Sequence, residues 1–193
     1  METIDRREAL KRVALLCGGA LSAPTVAGVL SGCQPSGSES WSPSALSDHQ
    51  NDLVVTISER IIPATDTGGA EAANVNRFID AMLADGFLPE DRDRFLSGLD
   101  EVDAEAESEH GAPFLECSAE QQTALMTAWD EAAFGADADF NPEAPPFFRT
   151  MKELTIFGYY TSEIGASQEL RFDPVMGRYE PCVPFEEIGR TWA

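Results

Sequence analysis

Phe148, Met151, Leu154, Thr155 and Gly158 recur three and four residues apart, the spacing that lines one face of an α-helix. They sit at the head of a longer stretch, Phe147 to Pro184, reading FFRTMKELTIFGYYTSEIGASQELRFDPVMGRYEPCVP. A buried helix here delivers Tyr159, Tyr160, Thr161, Ser162 and Glu163 to its end. Gly165 follows as a C-terminal stop, because glycine enters the left-handed conformation without a Cβ penalty. Beyond it Leu170 and Phe172 alternate, Asp173-Pro174 interrupts, and Met176-Gly177 marks a turn between two short extended runs.

Four more helical patterns precede this one. Ser47 with Gln50 forms a capping box, followed by Leu53, Val54, Ile57 and Ile61 on one face, with Pro63 ending the helix. Pro63 to Gly69 is a turn-rich loop in which Asp66 makes local hydrogen bonds. Val75, Phe78, Ile79, Met82 and Leu83 mark a second helix that ends near Gly86. Phe95, Leu99, Val102 and Ala106 mark a third, starting close to Pro89. Ser118 with Gln121 caps a fourth, with Leu125, Met126 and Trp129 inward, and Ala136 to Pro146 is an acidic connection into the last helix. No alternating strand run of useful length occurs. The fold class is therefore all-α: a single small domain of about five helices with an irregular C-terminal tail or short β-ribbon.

The first 33 residues belong to export rather than to the fold. Arg6-Arg7, with Leu10 and Lys11 behind them, has the form of a twin-arginine signal, and Val13 to Leu30 supplies an interrupted apolar segment. A mildly basic amphipathic helix is the plainer alternative. Leu30-Ser31-Gly32-Cys33 has the form of a lipobox, so cleavage before Cys33 and lipidation of its thiol would place the mature chain on a membrane surface. Gln34 to Ser44, rich in Ser, Gly and Pro, reads as a flexible tether. Residues 45–193 form the helical domain, long enough for a sizeable core. Taking the four basic and three acidic residues of the signal from the chain's 13 and 34 leaves 9 and 31, a balance near −22. Such a chain repels nucleic acid.

Chemistry-bearing motifs are missing. His49 and His110 stand at no metal-ligand spacing, and no GxGxxG, Walker, CxxC, CxxCH or GxSxG pattern occurs. The reading is of a chain without catalytic, cofactor-binding or metal-binding residues of its own. Cys117 and Cys182 remain in the mature part; in an oxidising periplasm they pair with each other, or one reaches across to a partner. What the sequence does offer is a docking surface on Tyr159, Tyr160, Thr161 and Glu163, continued by Arg171, Arg178 and Tyr179 in the tail. Tyr and Arg dominate interface hot spots, and a tail of Pro, Gly and aromatics is not needed to fill a five-helix core. The alternative is that both tyrosines close the core and satisfy their hydroxyls at its edge.

KELTIFGYYTSEIG followed by LRFDPVMGRYEPCVP resembles the C-terminal signature of the gluconate 2-dehydrogenase subunit 3 family. ERIIPATDTGGA at 59–70, followed by VNRFIDAML at 75–83, resembles its N-terminal signature. The resemblance implies a small, non-catalytic subunit of a periplasmic flavin-dependent sugar or sugar-acid dehydrogenase of the GMC type. It further implies a large FAD-binding partner subunit and, in some complexes, a multi-haem cytochrome c. A twin-arginine signal suits that reading, because the pathway carries folded cargo and one signal could export both subunits. A free-standing periplasmic binding or scaffold lipoprotein is the alternative from a different class.

Overall fold

The computed structural model describes residues 41–136, 138, 141–173, 177 and 182–193. Arg6, Arg7 and Cys33 lie outside the described residues, as do Arg178 and Tyr179. Six α-helices occur among the described residues: α1 Asp48–Ile61, α2 Val75–Ala81, α3 Pro89–His110, α4 Ala119–Phe134, α5 Phe147–Tyr160 and the short α6 Phe185–Ile188. A π-helical turn, Met82–Gly86, continues α2; a 3-10 turn, Phe114–Glu116, precedes α4; a second π turn, Gly165–Glu169, follows α5. No strand occurs among the described residues. One isolated parallel bridge joins Arg171 to Trp192; most of the tail in which a short ribbon was expected lies outside the described residues. Pro43–Ala193 forms one compact unit.

The helices begin where local chemistry says they must. Ser47 and Ser118 each accept a hydrogen bond from the N3 backbone, and the Gln50 and Gln121 side chains accept one from the cap residue's own N–H, completing two capping boxes. Pro89 occupies the first turn of α3, where its missing N–H is no loss, and Gly111 ends that helix at φ 75°. In the first turn of α4 the exposed Glu120 carboxyl is held below its usual range by a hydrogen bond to its own backbone N–H, then by the Ser118 hydroxyl and by Arg60. That is a helix-end effect.

Helix α5 packs against all four other long helices, and its crossings are made by small residues. Ser58 of α1 and Thr155 of α5 are buried with their hydroxyls 3.4 Å apart, while Thr155 donates to the Met151 carbonyl at 2.8 Å. A Cβ on Gly158 would meet the Phe78 ring, and one on Gly98 would run into Phe147. Glycine inside a helix costs about 1 kcal/mol relative to alanine, so these positions are justified by close packing. Aromatic contacts continue from Phe114 to Trp129 to Phe148, at centroid distances of 5.7 and 5.8 Å. The face Phe148, Met151, Thr155, Gly158 is buried as its periodicity requires, with Leu154 half-buried.

One element was not visible in the pattern of the chain. Asp80 of α2 is buried, and its carboxylate accepts the backbone N–H groups of Ser44, Ala45 and Leu46 at 2.8–3.1 Å. It fastens the chain to the domain just before α1. Replacing Asp80 with Ala strips three backbone donors of their acceptor and should cost roughly 3 kcal/mol. Denaturant unfolding would show that loss, together with new proteolytic cleavage near Ser44; unchanged stability would mean the clamp is dispensable.

Candidate docking surface

Two segments of the chain, 91 to 102 residues apart, meet at the C-terminal end of α5. The first is the loop after α1. Glu59 staples it at both ends, accepting the Ala64 N–H at 2.8 Å and the Glu71 N–H at 2.9 Å. Within it Thr65 donates to Asp66 at 3.1 Å, the local role its sequence suggested. The second is the end of α5 and the π turn beyond. Tyr159 donates its hydroxyl to the Gly68 carbonyl at 2.8 Å and lies 3.4 Å from the Thr67 hydroxyl, which itself donates to Glu169 at 3.0 Å. A Cβ on Gly68 would press on Ile164 and Ala72.

Tyr159 therefore departs from the docking expectation. It is 2 % exposed, a core side chain whose polar tip braces a loop, because residue 159 follows Thr155 and Gly158 on the inner face. Gly165 departs too: its backbone is not left-handed, and glycine is required there because a Cβ would overlap the Tyr159 carbonyl oxygen. Ser162 supports the same bend, donating to that carbonyl at 2.6 Å and accepting the Gly165 N–H at 3.0 Å.

The opposite face of α5 turns apolar groups outward. Ile156, Phe157 and Tyr160 are 40 %, 60 % and 40 % exposed. Tyr160 lies four residues from Ile156 and three from Phe157, so it neighbours both on the helix surface. Phe157 rests against Phe78 at 5.7 Å, and Tyr160 stands edge-on to Tyr159 at 5.3 Å. Thr161 is exposed but returns its hydroxyl to the Phe157 carbonyl at 2.7 Å, and the exposed Glu163 takes the Ser167 hydroxyl on its carbonyl. Ile156 and Phe157 went unremarked in the sequence, although the inner-face spacing leaves 156, 157 and 160 on the other side.

Arg171 is engaged by its own chain. Its guanidinium lies 4.7 Å over the Trp192 ring and donates to the Ile188 carbonyl at 3.2 Å, while its backbone pairs with Thr191 and Ala193. Arg190 also donates to the Gln168 carbonyl. These contacts fold the C-terminal segment back on the π turn, leaving Phe172 and Phe185 exposed. Cys117 is a buried free thiol and Cys182 an exposed one, so the two are not joined to each other. Cys117 is held instead by the Ala112 carbonyl at 3.5 Å.

A cleft of about 320 Å³ lies near the start of α5, walled by Phe87, Leu88, Phe95 and Phe147; of its charged groups, Asp91 and Arg94 pair with each other at 2.7 Å and Glu153 with Arg149 at 3.2 Å. Among the described residues no three His, Cys, Asp or Glu side chains are placed to hold a metal. No helix among them is long and apolar enough to cross a membrane. His49 pairs with Asp103, and His110 ends α3.

Tyr159→Phe isolates the brace. It keeps the ring and removes only the hydroxyl, so stability should fall by about 1 kcal/mol, roughly 2–4 °C in Tm. A thermal melt indistinguishable from that of the parent chain would show that the loop is held without it.

Comparison with known proteins gave neither a matching curated protein nor a matching solved structure. A family model described as Gluconate 2-dehydrogenase subunit 3 matches residues 48–177, spanning α1 to α5, the stapled loop and the outward stripe. The chain belongs to the gluconate 2-dehydrogenase subunit 3 family, a family of small subunits of dehydrogenase complexes.

Proposed function

We propose that this chain is the non-catalytic escort of an exported, FAD-dependent dehydrogenase of the GMC type, and that the large flavin-bearing subunit covers the outward stripe of α5. The observation that carries this reading is the two-sidedness of that helix. Its inner face closes the core, while Ile156, Phe157 and Tyr160 present contiguous apolar surface to solvent. Exposed apolar groups that cluster, unlike single ones, mark interaction surfaces. Tyr160, Thr161 and Glu163 remain in the proposed surface, now with Ile156 and Phe157, and without Tyr159. FAD would belong to the partner, as would contact with any multi-haem cytochrome c.

Export and anchoring complete the proposal. Arg6-Arg7 would direct the chain, with its folded partner, through twin-arginine export. Lipidation of Cys33 would then hold both at the membrane face of the periplasm, since a diacylglycerol with an amide-linked chain anchors firmly where one acyl chain does not.

The direct test is purification of the tagged chain with its large companion, followed by a scan for flavin absorbance. Phe157→Ala should then weaken the complex about thirtyfold, about 2 kcal/mol, with the melting temperature of the subunit unmoved. Equal affinity in that variant would take the partner off α5.

Changing Arg6 and Arg7 together to Lys should leave the chain and the activity of its partner in the cytoplasm. Full dehydrogenase activity outside the cytoplasm in that variant would remove the escort role while leaving the docking surface intact.

A further inference from the structure

We infer that the folded state of this subunit depends on monovalent salt at molar concentration, with screening ions taking the part that basic side chains play in most domains. The inference is independent of the partner and of the export route. It starts from the balance of 9 basic against 31 acidic residues after Cys33, in which Lys152 is the only lysine. Self-repulsion at such a charge opposes the compact state. Four of those cations are also committed locally: Arg92 to Asp93, Arg94 to Asp91, Arg149 to Glu153 and Lys152 to Asp130.

Helix α3 concentrates the problem. After Arg94 it carries no basic residue before His110, yet it bears Asp100, Glu101, Asp103, Glu105, Glu107 and Glu109. Two of these are used within the fold. Asp100 accepts from the Gln50 side chain at 2.8 Å, and Asp103 accepts the Phe114 N–H at 2.9 Å and holds His49. Glu101, Glu105 and Glu109 are exposed, and among the described residues they meet no cation. They stand at i, i+4 and i+8, the register in which like charges destabilise a helix.

Screening length decides whether that repulsion matters. Side chains four apart are about 5–6 Å from one another at Cβ. The Debye length is about 10 Å at 0.1 M salt and about 3 Å at 1 M. Neighbouring carboxylates therefore feel each other fully in dilute buffer and only weakly in molar salt. Hydrogen bonds already hold Asp100 and Asp103, so the solvent-facing row adds its own share to the repulsion set by the net charge.

The test is thermal unfolding of the full chain, purified in about 2 M KCl, at that concentration and at about 0.1 M. The Tm should rise by roughly 10 °C or more with salt. The triple variant Glu101→Gln, Glu105→Gln, Glu109→Gln should melt higher than the parent at the low concentration and equal it at the high one. A parent Tm that does not move overturns the inference, as does a chain unfolded in both buffers. A rise of equal size in parent and variant, with no gap between them at low salt, also overturns it, because salting-out alone would then account for the effect.

Discussion

The fold depends on how closely one helix can be approached. Helix α5 touches every other long helix, and three of those approaches occur where a side chain is small: Ser58 beside Thr155, Gly158 beneath Phe78, and Gly98 beneath Phe147. Protein interiors are packed as densely as organic crystals, so a missing Cβ at one crossing is filled by a ring from the other helix. The paired hydroxyls at Ser58 and Thr155 are tolerated in the core because Thr155 also donates along its own helix to Met151. What is arranged around α5, including the stapled loop and the C-terminal fold-back, takes its position from these crossings.

The helices were legible in the sequence because their signals are local. Both capping boxes need residues only three positions apart, and the proline that opens α3 acts on its own backbone. The inner face of α5 was likewise readable from its spacing. What escaped were the contacts that join distant segments. The orientation of Tyr159 is settled by a carbonyl 91 residues earlier, and Asp80 finds its partners 34 to 36 residues before it. Glycine at 165 answers a need other than a left-handed stop: room beside the Tyr159 carbonyl, which no local pattern reveals. In the described part of the tail, Arg171 is bridged to the far end of the chain, a pairing equally hidden from local pattern.

The same distinction separates the two tyrosines at the end of α5. Adjacent residues on a helix differ by about 100° in direction, enough to send one ring inward and its neighbour out. Residue type suits both positions equally, because Tyr carries a large apolar body and a polar tip. The outcome is set by the partner available to each: Tyr159 reaches a carbonyl, whereas among the described residues Tyr160 meets the edge of its neighbour's ring.

Tyr160 and Phe157 are exposed without being loose. One leans on Tyr159, the other on Phe78, and both rise from a helix gripped on every other side. Association usually carries a penalty for freezing side chains and loops, of about 0.5–1.5 kcal/mol for each rotamer-rich group immobilised. A surface whose rings are already seated has less of that freedom to lose. A protein that covers it meets a shape set before contact, and the complex should differ from others of equal area chiefly in how slowly it comes apart.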